Sequence, residues 1–219
     1  KTADERFPFA ELEAAGYRAA HNGQKTYNGV AILYRGGASD ITRDIPGLPD
    51  EQTRVVALTL GETRIVSAYM PNGQEVGSDK YAYKLAWFAA LAAWLGEELV
   101  RWPRLALLGD FNVAPEDRDV HDPAAWRERI LCSTPEREAF RRLLALGLAD
   151  AFRLFEQPER SFSWWDYRAM GFRRNQGLRI DHILLSTALA AGCRACIIDK
   201  APRRLERPSD HAPVIAELP

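Results

Sequence analysis

The order of strand-like and helix-like segments is the feature that most constrains the fold of this 219-residue chain. Two apolar runs, residues 54–60 and 63–69, flank a tight turn at Gly61 and Glu62 and predict a β-hairpin. Hairpins and helices are mixed along the chain without a regular strand–helix–strand alternation. This order favours mixed or antiparallel sheets packed together with helices outside, rather than a simple parallel sheet.

The remaining elements follow from the same patterns. Ser78 is a candidate cap for a long helix, Asp122 followed by Pro predicts a second helix start, and Ser133 predicts a third helix that runs to Gly147. Apolar positions in the long helix recur near the 3.6-residue spacing at Tyr81, Leu85, Phe88, Leu91, Leu95 and Leu99. Further strands are predicted at residues 28–34, 105–108, 180–185, 194–198 and 214–217. Without repeats or long linkers, residues 1–219 are expected to form one domain.

Composition indicates a cytoplasmic globular protein without a membrane partner. Hydrophobic residues make up 47% of the chain and charged residues 27%, no apolar run reaches the ~18 residues that span a bilayer, and the N-terminus is polar. Three cysteines, an odd and small number, indicate a reducing compartment. Cys193 and Cys196 are expected to be chemically inert, since a strand would send them to opposite faces. Nothing in the sequence demands a partner subunit, so a monomer is expected.

Arginine is concentrated in one segment, although the net charge is only −1. The chain has 24 arginines and five lysines, and residues 160–179 contain five arginines against one acid, Asp166. Arginine suits bidentate phosphate contacts, and aromatic side chains beside it, as in residues 162–168, suit stacking on bases. A general preference for arginine over lysine and a purely structural role for the aromatics are the alternatives. For at least one of Trp164 and Trp165 we expect burial in the core.

Two polar motifs follow apolar runs and lie far apart in the chain. Residues 109–112 read Gly-Asp-Phe-Asn, and residues 208–213 read Pro-Ser-Asp-His-Ala-Pro. Each sets an acid beside a second polar ligand or base, so a fold that joins them can hold a divalent metal and activate a water. The alternatives are a turn at Asp110 and Asn112 and a capped loop with a solvated histidine at His211.

Two further polar residues are candidates. Asp181 lies between apolar neighbours and, being at least partly buried, needs a partner. Its neighbour His182 should face the other way in a strand, so His211 is the preferred partner, and a salt bridge with Arg179 or another arginine is the alternative. Tyr69 ends a predicted strand, where its hydroxyl can reach a phosphate oxygen or simply pack.

In this order, the motifs resemble the exonuclease III family of AP endonucleases, within the superfamily of endonucleases, exonucleases and phosphatases. The resemblance covers nearly the whole chain and rests on residues 23–25, 27–32, 69–73, 109–113, 162–168, 177–181 and 208–213. It implies an α/β fold with two mixed β-sheets packed face to face and flanked by helices, the DNase I-like four-layer sandwich, with the site at one end of the sheets. The segments at 162–168 and 177–181 favour this branch over the lipid or inositol phosphatases.

The resemblance also assigns roles. It implies that Asp210 is a metal ligand, that Asp181 orients His211, and that His211 is the general base or a phosphate contact. Asp110 would position the water or protonate the leaving group. Asn112 and Tyr69 would stabilise the transition state. The implied ion is Mg²⁺ or Mn²⁺, with Asp210, Asp110, Asn112 and His211 as its candidate ligands. The implied DNA contacts are Lys25, Trp164, Arg168, Arg173 and Arg174.

The activity so implied is metal-dependent cleavage of double-stranded DNA, 5′ to abasic sites or at 3′ ends, in base-excision repair. The alternative functions are a non-catalytic regulator on the same fold and a phosphatase for lipids or small molecules. One departure is that the family's N-terminal strand–helix–strand is expected before Lys1, and with it an Asn and a metal-binding Glu. We expect the natural protein to be longer; if this chain were the whole polypeptide, it should bind metal weakly and show little activity.

Overall fold

The computed structural model describes residues 3–219, without the side chain of Asp4; Lys1 and Thr2, where the family's glutamate-bearing segment is expected to end, lie outside it. The strands are β1 (Arg18–Asn22), β2 (Val30–Tyr34), β3 (Ser39–Arg43), β4 (Val55–Leu60), β5 (Thr63–Tyr69), β6 (Leu105–Asp110), β7 (Leu148–Asp150), β8 (Asp181–Ser186), β9 (Ala195–Ile198) and β10 (Val214–Glu217). The helices are α1 (Phe9–Ala14), α2 (Asp79–Arg101), α3 (Pro123–Trp126), α4 (Thr134–Ala145) and α5 (Thr187–Ala190).

A six-stranded mixed sheet organises the described part of the chain. Its strand order is β3-β4-β5-β6-β8-β7, in which β5 and β6 pair in parallel and the other neighbours pair antiparallel. The remaining strands form two antiparallel pairs, β1-β2 and β9-β10. The first pair contacts β4 and the second contacts β8 through β10. The predicted fold of facing sheets with helices outside is therefore confirmed, with a second layer made of two separate pairs.

Alternating side chains of the central sheet supply two cores. Ala57 and Leu107 face α2 and α4, where they join a cluster that includes Phe88 and Phe140. The intervening residues face the opposite way, towards the two strand pairs: Val56 and Leu58 pack on β1-β2, and Ala106 and Leu185 pack towards β9. Each of these strands is therefore buried on both faces, which explains their nearly continuous apolar sequences.

The two principal helices begin where their caps predict. The Ser78 hydroxyl accepts a hydrogen bond from the Tyr81 amide at the start of α2. At α4 a capping box links Ser133 and Glu136, each side chain accepting the other residue's amide. Helix α4 ends at Ala145, just before Gly147 with its φ of +92°. No helix in residues 3–219 combines the length and hydropathy that crossing a bilayer requires.

Two strand predictions are wrong at their edges. The strand predicted from residue 28 begins at Val30, because Asn28 and Gly29 have positive φ angles that a strand does not accept. Cys193 precedes β9, and its amide donates to the Ala190 carbonyl in a turn after α5. It therefore lies outside the strand that was expected to set its orientation relative to Cys196. The cysteines of the described chain are free thiols.

Candidate active site

Three site residues lie side by side because three neighbouring strands meet at one edge of the six-stranded sheet. Tyr69 ends β5 and is in register with Asp110, which ends β6. Asp110 is in register with Asp181, which begins the antiparallel strand β8. Directly opposed residues have side chains within contact reach, so the fold places two carboxylates and a phenol together.

His211 joins this group through Asp181. The His211 Nδ1 lies 3.0 and 2.9 Å from the two Asp181 carboxylate oxygens. This contact fixes the ring and leaves Nε2 facing Asp110, whose Oδ2 is 4.0 Å away. The fully buried Ser163 donates its hydroxyl proton to Asp181 Oδ2 at 2.7 Å. The expected pairing of Asp181 with His211 is thus present, and the carboxylate is held from two sides.

Arg179, the alternative partner of Asp181, faces away from the site. Its guanidinium donates to Asp119 at 2.6 Å and lies 2.8 Å from Asp150, with all three side chains buried. It also donates to His182 Nδ1 at 2.9 Å. The salt-bridge alternative is therefore wrong, because the guanidinium of Arg179 pairs with Asp119 and Asp150 instead of Asp181.

The loop after β6 is both a turn and part of the site. The Asp110 side chain accepts the Asn112 amide at 2.9 Å, as in an Asx turn, and Asn112 adopts a φ of +50°. The buried Asn112 side chain donates to the Met70 carbonyl at 3.0 Å and accepts from Asn72 at 3.1 Å. These bonds fix the side-chain amide of Asn112 beside Asp110; the predicted turn is present, and the functional role of the two residues stays a prediction.

The carboxylates give the site an excess of negative charge. Burial, followed by the charge of Asp181, raises the pKa of Asp110 to about 7, against the opposing charge of His211. Burial by itself would lower the pKa of His211, but the hydrogen bond and charge of Asp181, with the charges of Asp110 and Asp210, raise it to about 9. Burial and the charge of Asp110 also raise the pKa of Tyr69. A cation entering the site would relieve this excess.

The loop that carries Asp210 lies against the aromatic segment at residues 162–168. The Trp164 indole donates to Asp210 Oδ2 at 3.0 Å, and the Trp165 amide donates to the Asp210 carbonyl at 3.0 Å. Trp165 is completely buried, as expected for one of the two tryptophans. The Tyr167 hydroxyl donates to the Pro208 carbonyl at 2.7 Å. The segment therefore holds the loop that carries Asp210 through both side-chain and main-chain hydrogen bonds.

An open cavity of about 700 Å³ joins these groups. It is lined by Tyr69, Asp110, Asn112, Trp164, Asp181, Asp210 and His211, with apolar walls from Trp126, Ile130 and Ile180. Among the described residues, no three acidic, histidine or cysteine side chains are grouped as a ready metal site. Mg²⁺ is commonly held by one or two carboxylates, waters and substrate phosphates, so the oxygen donors of Asp110, Asn112 and Asp210 fit such an ion.

The expected DNA contacts divide into two groups. Trp164 and Arg168 line the cavity, and Arg168 pairs with Asp166 at 2.6 Å. Lys25, Arg173 and Arg174 are exposed and lie outside its lining. The second group therefore belongs to the outer surface.

The sequence did not predict three residues that hold the candidate site residues in place. Asn72 orients Asn112, Ser163 holds Asp181, and Lys84 donates to the carbonyls of Asn72 and Asn112 at 3.1 and 2.7 Å. Lys84 carried a detectable signal, since it lies three residues after Tyr81 on the apolar stripe of α2, where a charged residue is unexpected. Ser163 carried none beyond its place in an aromatic segment.

Comparison with known proteins gives a uniform result. The model of the Endonuclease/Exonuclease/phosphatase family matches residues 2–211. Exodeoxyribonuclease III from Haemophilus influenzae is 37% identical over 231 residues, covering 100% of this chain and 86% of the relative.

Solved structures agree with the sequence matches. The structure of the 3′ phosphatase NExo from Neisseria, bound to a product DNA hairpin, is similar with a TM-score of 0.98 and 46% identity, covering 100% of this chain and 86% of that one. An AP endonuclease from Archaeoglobus fulgidus is similar with a TM-score of 0.94 and 33% identity, covering 100% and 85%.

Proposed function

Because this chain belongs to the endonuclease/exonuclease/phosphatase family, in its exonuclease III branch, we propose that it is a Mg²⁺-dependent DNA-repair hydrolase acting 5′ to abasic sites and at 3′ ends. The observation that carries the proposal is the His211–Asp181–Asp110 arrangement in one cavity with Asp210 and Asn112. A histidine between two carboxylates, beside oxygen donors for a cation, suits attack of water on a phosphodiester.

Each polar residue of the cavity has a separate role in the proposed reaction. Asp210, with oxygen donors from Asp110 and Asn112, would hold Mg²⁺, which when bound polarises a phosphoryl oxygen and neutralises developing charge. Tyr69 and the Asn112 amide would donate to the non-bridging oxygens as negative charge builds up. Asp181 keeps His211 Nδ1 protonated and its Nε2 turned towards the reacting phosphate.

The pKa values indicate the protonation states. With a pKa of about 9, His211 is mostly protonated at neutral pH, which suits a phosphate contact better than a general base. With a pKa of about 7, Asp110 can both accept a proton from the attacking water and return one to the leaving oxygen. A bound cation would lower the pKa values of both His211 and Asp110. Asp110 would then be ionised at neutral pH and could act as the general base.

The substrate assignment rests on the cavity wall and on the relatives. Trp164 and Trp126 provide an apolar surface beside the polar centre, and the exposed Arg168 adds a phosphate contact at its rim. One similar structure is a 3′ phosphatase bound to product DNA, and another is an AP endonuclease. Both substrate types are therefore proposed here. A monomer acting on DNA in a bacterial cytoplasm is part of the proposal; the bacterial setting is supported by the relative from Haemophilus influenzae.

The test uses the full-length protein with two DNA substrates, a duplex with one abasic site and a hairpin with a 3′-phosphate. Cleavage in Mg²⁺ or Mn²⁺ that stops in EDTA is the expected result. Asp210→Asn should abolish turnover with an unchanged melting temperature, and near-normal cleavage by this variant would remove Asp210 from the site. Substrate binding should weaken with added salt, because phosphate contacts release counterions. DNA binding without cleavage under every metal condition would favour the non-catalytic regulator instead.

A further inference from the structure

The carboxylate of Asp210 depends on one neighbour for its orientation. The Trp164 indole N–H donates to Asp210 Oδ2 at 3.0 Å. Within residues 3–219 this is the one hydrogen bond that the Asp210 side chain makes to another residue. The second oxygen, Oδ1, therefore remains available to the cavity that Asp210 lines.

The backbone around Trp164 is held on both sides, so the position from which its indole extends towards Asp210 is fixed. Trp164 and Leu178 exchange two backbone hydrogen bonds of 2.9 Å each, which form an antiparallel bridge. On the other side Trp164 forms a bridge with His211, and the Trp165 amide donates to the Asp210 carbonyl at 3.0 Å. The main-chain segments that carry Trp164 and Asp210 are therefore hydrogen-bonded to each other, next to the bond between their side chains.

The same indole has a second face. Trp164 is half-buried, packs partly against the apolar cluster that contains Leu178 and Ile180, and lines the cavity together with Trp126. Trp164 therefore contacts both the cavity proposed for the substrate and the Asp210 carboxylate proposed to bind the metal. A contact to the ring alone would not require the N–H to point at Asp210.

We propose that Trp164 is a positioning residue for Asp210, in addition to any contact its ring makes with DNA, an inference that rests on the metal-binding role in the proposed function. Hydrogen-bond partners of metal ligands fix the ligand's orientation, and their loss typically costs ~10–100-fold in metal affinity or activity. Without the indole N–H, Asp210 is free to rotate and its carboxylate is presented to the ion less often. A substrate that shifts the Trp164 ring would also change the orientation of the Asp210 carboxylate.

The experiment separates the N–H group from the ring. In one variant Trp164 is replaced by 3-benzothienylalanine, which keeps the bicyclic ring but has sulfur in place of the N–H; the second variant is Trp164→Phe. Binding of Mn²⁺ to the full-length protein without DNA is measured by electron paramagnetic resonance, and kcat and KM are measured on the abasic duplex. Both variants should bind Mn²⁺ about 10-fold or more weakly. The benzothienyl variant should lose kcat at limiting metal while its KM for DNA stays within twofold.

A matched control uses the other tryptophan of the cavity. Trp126 lines the same space, and its indole makes no hydrogen bond to the described residues, so Trp126→Phe should leave the Kd for Mn²⁺ within twofold of the parent. Equal Mn²⁺ affinity in the benzothienyl variant and the parent would overturn the positioning role and leave the nuclease function standing. Absence of Mn²⁺ binding in the parent itself would overturn the metal site, and the inference with it.

Discussion

Replacing Lys84 with methionine should destabilise the protein strongly. The Lys84 ammonium is completely buried and donates to Glu136 and to the carbonyls of Asn72 and Asn112. Glu136 is equally buried and accepts from the Leu131 amide at 3.0 Å. Lys84→Met therefore leaves one buried carboxylate without its cation and two loop carbonyls without their donor.

The size of the effect follows from these contacts. Removing one partner of a buried ion pair typically costs ~3–5 kcal/mol, because the other charge remains desolvated. At roughly 2–4 °C per kcal/mol for a chain of this size, the melting temperature should fall by about 6–20 °C. Glu136→Gln keeps the shape and part of the acceptor capacity, so its loss should be smaller. The double variant should lose less than the sum, since both changes remove the same interaction.

The assay is unfolding by urea together with calorimetry, with Lys80→Met as control, since Lys80 is exposed on the same helix. The control should stay within about 0.5 kcal/mol of the parent. Below its melting temperature, Lys84→Met should also show a lower kcat, because the Asn112 carbonyl loses its anchor. A loss of less than about 1 kcal/mol for Lys84→Met would refute the argument that this buried charge needs its partner.

Three more substitutions test the site and the elements around it. Gly109 has a φ of +144°, and an added Cβ would lie 1.9 Å from the Ala68 carbonyl oxygen, so Gly109→Ala should cost at least about 4 kcal/mol in urea unfolding. Gly96→Ala in the middle of α2 meets no close atom and should stabilise by about 0.5–1 kcal/mol. Burial, with a neighbouring guanidinium, lowers the pKa of His182 to about 4 from 6.5. The unfolded chain then takes up the proton first, so about 3 kcal/mol of stability is lost as the pH falls from 6.5 to 4. His182→Gln should remove this part of the pH dependence, and an unchanged slope would contradict it.

The sequence predicted well those parts of the molecule in which a local pattern decides the outcome. Helix α2 was predicted from its cap and its apolar stripe, and the hairpin of β4 and β5 from two apolar runs around a short turn. The contact between Asp181 and His211 was predicted from strand alternation, which excluded His182 as the partner. For the helix and the hairpin the signal lies within a few residues of the feature; for Asp181, strand alternation excluded His182 locally, whereas its partner lies 30 residues away.

Other elements had no such signal. Strand β3 reads Ser-Asp-Ile-Thr-Arg, a mostly exposed edge strand whose existence depends on pairing with β4. Strand β1 buries His21 and Asn22, which sequence rules place outside. The ion pair of Asp119 with Arg179 joins residues 60 positions apart. These features are decided by tertiary contacts that a single sequence does not display.

The polar residues that escaped prediction are also those that make the site rigid. Two successive carbonyls of the loop after β6 are each held by a buried side chain from a different direction: Asn112 by Lys84 and Val113 by His182. His182 in turn accepts from Arg179, so it stays neutral and must donate through Nε2. The loop can therefore keep Asn112 at a positive φ while its amide faces the cavity. In the proposed mechanism this geometry is fixed before substrate enters, so little reorganisation is needed as charge develops on the phosphate.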